Sequence, residues 1–477
     1  MAAHSASLRS DGIAGHAWPY MAAVILGVAI ACGYAVAAGE AAGLFVGISI
    51  VCGLAVLFDF RAGTVLLVLM LPIAASALFP RSLMEVSGLN PLNLLVVATL
   101  GSYLLVGRLQ RAAPLVPQPV VWLYILPMIG AALIGTQYVH LVPSFFYESD
   151  AVQFVTARQY LTTQLAKPLV TVAVALLLGA AAARSQKAER FIIPMALSVW
   201  LITLFQIGFV VWHMPSLSTL ASADARGFYE PIGMHANSFG RLHLFAFAIL
   251  LFVWAETKRP NLKLFLMLTI GLLSIAIVLT FSRAAIGGAA LVGALFLAWK
   301  FNARSLALAM VVGALVMLLF GEALHSRLTK GFGEGADAVS AGRLGIWTAM
   351  IPEVARSPLW GRGLNSTLWS FPVMNEAILP VGHVHNAYLQ ALLDMGLIGL
   401  ALVLGYWLHV WRGFRMLGSS PWLSPEMRGF FQGATAALLA YFATCVVGSS
   451  LFPEPETAYL WIAIGLMYGL RGRRPAG

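Results

Sequence analysis

Apolar residues occur along this chain in long unbroken runs joined by short polar connections. The runs fall near Met21–Ala38, Ala41–Phe58, Gly63–Phe79, Leu92–Val106, Val120–Gly135, Leu165–Ala183 and Phe191–Val211. They continue near Leu242–Ala255, Leu264–Phe281, Ala284–Trp299, Ser305–Phe320, Tyr388–Val410, Gly433–Val447 and Thr457–Leu470. Runs approaching 20 residues are what an α-helix needs to cross the hydrocarbon core of a bilayer. None alternates with a period of two, as the strands of an outer-membrane barrel would. The pattern predicts an all-α polytopic membrane protein with 12–14 transmembrane helices, the lower count applying if two closely spaced runs form a bent or re-entrant element.

Composition agrees. Of 477 residues, 60% are hydrophobic and 10% charged, whereas a soluble chain carries about 25% charged residues. Too little polar surface remains for a soluble globule, and too much apolar surface for a disordered chain. Cys32, Cys52 and Cys445 all lie in apolar runs and suggest no disulfide framework.

The net charge of +10 changes meaning once it is divided between the two sides of the membrane. One set of connections holds eighteen basic residues and five acids, and the other the remaining eleven and fourteen. The sides therefore differ as +13 against −3, and the positive side is expected to be cytoplasmic. The excess charge is a topology signal and implies no nucleic acid. Both termini are then expected in the cytoplasm, with the first run an uncleaved span. Three parts follow: an N-terminal bundle over 1–320 with outer loops near 138–164 and 212–241, a large outer loop over 321–387, and C-terminal helices over 388–477. The long outer loop is where chemistry is expected, because structureless connections of that length are unusual unless functional.

That loop ends in Val381-Gly382-His383-Val384-His385-Asn386, and Gly396-Leu397-Ile398-Gly399 follows in the next run. A neutral imidazole can take a proton from a sugar hydroxyl near neutral pH. The alternatives are a histidine that only caps the next helix, or a His-Val-His metal site, which would be short of ligands. Arg283 lies at the outer break between two runs, where a guanidinium fork suits phosphate, although snorkelling would also explain it. Arg343 and Trp347 share one helix face at i,i+4 spacing, which could equally be a solvated face. Arg158, Arg226 and Arg241 are further outer cations, with Glu148, Asp150, Asp224, Glu230 and Asp394 as available acids. The stretch Gly361-Arg362-Gly363 lacks a P-loop lysine and reads as a turn.

Taken in order, Ser282-Arg283, then Arg343 with Trp347, Pro358-x-x-Gly361-x-Gly363, His385-Asn386, nine residues and Gly396-x-x-Gly399 resemble the O-antigen ligase and polymerase superfamily, and the ligase branch most closely. The resemblance covers about 280–400. It implies a multi-span glycosyltransferase (GT-C-like) fold with a helical periplasmic cap, in the inner membrane of a Gram-negative bacterium, and chemistry without metal or cofactor. It implies an undecaprenyl-pyrophosphate-linked O-antigen donor and a lipid A–core acceptor, in a cavity open to membrane lipids. His385 would be the catalytic base, supported by Asn386, Trp347 and His383, although His383 lies outside the matched string. Arg283 and Arg343, with Arg158, Arg226 and Arg241, would hold the pyrophosphate. Direct attack by the acceptor hydroxyl implies inversion at the anomeric carbon. An O-antigen polymerase uses the same donor. A flippase or transporter would instead place charged residues in mid-span, where Asp394 and Lys167 are the nearest candidates, both near span ends.

Overall fold

A computed structural model describes residues 59–78, 90–105, 115–149, 152–213, 227–300, 303–375, 381–448 and 450–472, with isolated residues near 52–57 and 216–222. Among the described residues every regular element is a helix. The longer ones are α1 (Phe60–Met70), α2 (Pro91–Leu105), α3 (Gln118–Gly135), α4 (Ala157–Arg184), α5 (Ala188–His213) and α6 (Ala236–Glu256). They continue as α7 (Pro260–Leu279), α8 (Arg283–Lys300), α9 (Ala303–Thr329), α10 (Arg343–Met350), α11 (Ala387–Gly418), α12 (Pro425–Cys445) and α13 (Ala458–Arg471). Seven of them, α3 to α8 and α11, are long and apolar enough to cross a membrane. The chain is an all-helical, multi-pass membrane protein. The Met21–Ala38 run and most of Ala41–Phe58 lie outside the described residues.

The chain forms two compact units, one from residues 1–67 and 80–111 and the other from 68–79 and 112–477. In the first, Phe60 meets Tyr103 edge-on with ring centres 5.4 Å apart. The second contains every contact discussed below.

Two helix pairs in the second unit approach closely because glycine removes the side chain between them. A Cβ on Gly433 would lie 2.6 Å from the Ala248 carbonyl oxygen, which brings α12 against α6. In the same way, a Cβ on Gly465 would sit 2.3 Å from the Ala175 carbonyl oxygen and one on Gly469 2.4 Å from that of Gly179, joining α13 to α4. Small residues four apart are the usual way to pack helices in lipid, where dispersion replaces the hydrophobic effect.

Two apolar runs depart from the single spans that their hydropathy predicts. In Gly63–Phe79, α1 stops at Met70 and turns follow to residue 78. Leu71 precedes Pro72, and a residue before proline is disfavoured in the helical region. The freed chain docks through the Ala77 amide, which donates to the Ile232 carbonyl at 2.8 Å. The second departure is in α11, which breaks at Gly396 (φ 66°, ψ −170°).

Residues 358–363 satisfy that break. Leu397 N–H donates to the Pro358 carbonyl at 2.8 Å, and Ile398 N–H to that of Leu359 at 3.2 Å. In return, Arg362 and Gly363 amides donate to Leu393 and Asp394 carbonyls, both at 2.9 Å. A Cβ on Gly361 would lie 2.3 Å from the Asp394 carbonyl carbon, and one on Gly396 2.2 Å from that of Leu359. Backbone freed inside an apolar region must find partners in protein. The Pro-x-x-Gly-x-Gly and Gly-x-x-Gly strings therefore form one joint, and the 358–363 segment is a docking turn.

Candidate active site

The histidine-bearing segment is clamped at Val384, which is fully buried against Met350 and Leu393. Its carbonyl accepts from Trp347 Nε1 at 3.0 Å. Its amide donates to Gln390 Oε1 at 3.4 Å, and Thr367 Oγ1 donates to the same oxygen at 2.9 Å. Gln390 Nε2 in turn donates to Asp394 Oδ1 at 2.8 Å, and that oxygen also accepts from the Ser366 amide and hydroxyl, both at 2.9 Å. Asp394 is thus tied to Ser366 and Gln390, and its role is to anchor the segment. With Val384 held on both sides, His383 and His385 flank a fixed point, their ring centres 4.1 Å apart at 63°.

His385 has φ 51°, a left-handed backbone uncommon for a residue with a side chain. Such strain persists only where the surroundings over-determine it, and it recurs at functional sites. The next residue, Asn386, caps α11, its Oδ1 accepting from the Tyr388 and Leu389 amides at 3.1 Å. Helix capping therefore falls to Asn386 and leaves His385 for other work.

The first turn of α6 and the break before α8 meet through Ser282 Oγ, which donates to Asn237 Oδ1 at 2.8 Å. Phe281 is buried with φ 45°, which lets α8 begin directly after α7. Arg283 then reaches the segment after α9, its guanidinium donating to the Val339 carbonyl at 3.0 Å. Arg343 extends toward the adjoining Ser340 carbonyl at 3.5 Å. The two guanidiniums thus converge on neighbouring carbonyls, although 60 residues separate them in sequence.

His383 connects this region to α6. Burial lowers its basicity, and the charges of Arg241, His235 and Arg343 lower it further. Arg241 is buried and paired with Glu456, while its Nε makes no hydrogen bond among the described residues. Burial alone would raise the Glu456 carboxyl, but Arg241 and the hydrogen bonds from Glu454, its own backbone and Ser238 together outweigh it and hold that group below the ordinary range.

The structure thus sets His383 and His385 ring to ring, ties Trp347 to the residue between them, places the charges of Arg241 and Arg343 within electrostatic reach of His383, and links Arg343 to Arg283 through the 339–340 turn. Arg158 is exposed on the first turn of α4 and does not join them. Arg226 lies outside the described residues, as do Asp150 and Asp224. Glu456, His235 and Arg327 were not singled out from sequence. Arg327 is buried and donates from Nε to the Phe281 carbonyl at 3.2 Å, bracing the turn that presents Arg283. Seven residues beyond the Ser305–Phe320 run, it carries no local signal of this long-range contact.

Residues 268–404 match the family model described as O-antigen ligase. This stretch belongs to the O-antigen ligase family. It contains Arg283, Arg327, Arg343, Trp347 and His385 together with the Gly361–Gly396 joint, whereas His235, Arg241 and Glu456 lie outside it. No curated protein matches the chain. Family membership supports glycosyl transfer of the O-antigen ligase or polymerase type from a lipid-linked glycan.

Trp347→Phe would keep an aromatic side chain of smaller size and remove the donor to Val384. A buried carbonyl left without its partner costs about 1–3 kcal/mol. Transfer should fall about tenfold or more through kcat while the KM for donor stays unchanged, because the histidine segment loosens and the arginines do not. Steady-state kinetics of the variant check this.

Proposed function

We propose that the protein is an O-antigen ligase, transferring glycan from undecaprenyl pyrophosphate to a sugar hydroxyl of lipid A–core at the periplasmic face of the inner membrane. The observation that carries this reading is the anchored, strained His385 segment with the Arg343 charge acting on its neighbour His383, and Arg343 and Arg283 meeting adjacent carbonyls of the 339–340 turn, all inside the family-matched stretch. His385 would take the proton from the acceptor hydroxyl. The oxygen would attack the anomeric carbon directly, and the pyrophosphate would leave with its bonding electron pair, inverting the configuration. Arg283 and Arg343 would neutralise the charge gathering on the leaving group, with Arg241 supporting them. The donor's sugar already carries a good pyrophosphate leaving group, which makes ATP unnecessary on that side of the membrane, and no step requires a metal.

Polymerase is the other reading the family allows, and loss of the gene separates the two. Without a ligase, full-length glycan accumulates on the undecaprenyl carrier and lipid A–core stays bare. Without a polymerase, single repeat units still reach the core. Gel separation of lipopolysaccharide from a deletion strain should show bare core, restored by the wild-type gene; core capped with single repeats would overturn the ligase reading.

A further inference from the structure

Beside the histidines is a cavity of about 630 Å³ whose lining includes Phe146, Gln164, Asn365, His383 and Glu454. Its size falls within the range of roughly 300–1,000 Å³ typical of small-molecule sites. The cavity is assembled from distant parts of the chain: the short helix Phe145–Glu148, the first half of α4, the turn after Gly363, the histidine segment, the start of α11 and the 450–454 stretch. Asn365 holds a left-handed backbone there (φ 60°), which asparagine tolerates better than most residues.

Charge decides what fits. Among the described residues no arginine or lysine lines the cavity, while Glu454 and Asp394 both do. A pyrophosphate would find no cation there and would meet carboxylates. An acyl chain would lie against the side-chain amides of Gln164 and Asn365 without answering their hydrogen bonds, at a cost of about 1–3 kcal/mol for each polar group desolvated. A neutral ligand with many hydroxyls and apolar ring faces satisfies both kinds of surface, the amides and carboxylates meeting hydroxyls and Phe146 and Phe452 meeting C–H faces.

We propose that this cavity is the acceptor-sugar subsite, which presents the attacking hydroxyl to the histidine pair from the side away from Arg283 and Arg343. The inference rests on the proposed transferase reading and adds which substrate occupies which side. Neither Arg283 nor Arg343 is among the lining residues, whereas His383 lines the cavity and touches His385 ring to ring. The burial and nearby cations that lower His383 basicity keep its imidazole neutral and able to accept a hydrogen bond from a sugar hydroxyl.

Two substitutions outside the histidine and arginine cluster test this. Ser149 is exposed at the rim, so Ser149→Trp fills the mouth without disturbing packing; Gln164→Ala removes one polar contact and is the milder change. Core oligosaccharide released from the host's lipid A is titrated into the purified full-length protein, and undecaprenyl pyrophosphate is titrated separately. The expected result is at least tenfold weaker oligosaccharide binding for Ser149→Trp and about threefold for Gln164→Ala, with undecaprenyl pyrophosphate affinity unchanged. Unchanged affinity for the carrier also shows that the variants are folded. Absence of oligosaccharide binding by the wild type, unchanged oligosaccharide binding in both variants, or a parallel loss of carrier affinity would overturn the assignment. Transfer by the wild type is measured apart from binding, so failure of the transferase reading and failure of the subsite remain distinguishable.

Discussion

His385→Ala should reduce glycan transfer by about 10²–10⁴-fold, the usual contribution of a positioned general base, while the protein remains folded and inserted. The strained backbone at His385 complicates this variant, because alanine at a positive φ costs roughly 1–2 kcal/mol. His385→Asn provides the control, since asparagine accepts the left-handed conformation but is no base at neutral pH. Both variants should be equally inactive, with melting temperatures in detergent close to wild type for the asparagine form. An active asparagine variant would remove the base assignment. A matching loss in His383→Ala would show that the two rings act as a unit.

The second large effect concerns the arginines. Arg283→Ala and Arg343→Ala should each lower kcat by about 10²–10³-fold, the scale for removing one preorganised donor from developing charge. Lysine should restore only part of each loss. It replaces the charge, but a single ammonium cannot hold a carbonyl of the 339–340 turn and a phosphate oxygen in the fixed fork of a guanidinium. Kinetics of the four variants with a fixed acceptor would show this order; equal activity of the alanine and lysine forms would argue that neither arginine contacts the leaving group. Arg241 is a poorer probe. Removing it strands the buried Glu456 charge, and breaking such a pair costs about 3–5 kcal/mol through folding alone.

How much of this was legible in the sequence follows from the range of the interactions. Hydropathy is local, so the helical, multi-pass character could be read directly. Helix interruptions inside apolar runs were harder: Pro72 ends α1 early, and Gly396 breaks α11. The glycine strings that serve the second break were visible, but their purpose, a backbone joint between Pro358–Gly363 and Leu393–Ile398, requires a contact across more than thirty residues. The pairing of Arg241 with Glu456 spans more than two hundred residues, and no spacing rule reports it. Asp394 was counted among the acids available to the arginines, and its actual partners are Ser366 and Gln390. The cavity beside His383 was invisible for the same reason, being lined by six separated segments.

The most direct test is transfer by the purified protein in lipid nanodiscs, with a defined undecaprenyl-pyrophosphate-linked glycan as donor, lipid A–core and an undecaprenyl-linked glycan as competing acceptors, and EDTA present. The account predicts glycan joined to lipid A–core with inverted anomeric configuration, absent with His385→Ala and undiminished by EDTA. Product found only on the undecaprenyl-linked acceptor, retention of configuration, or activity that survives His385→Ala would contradict it.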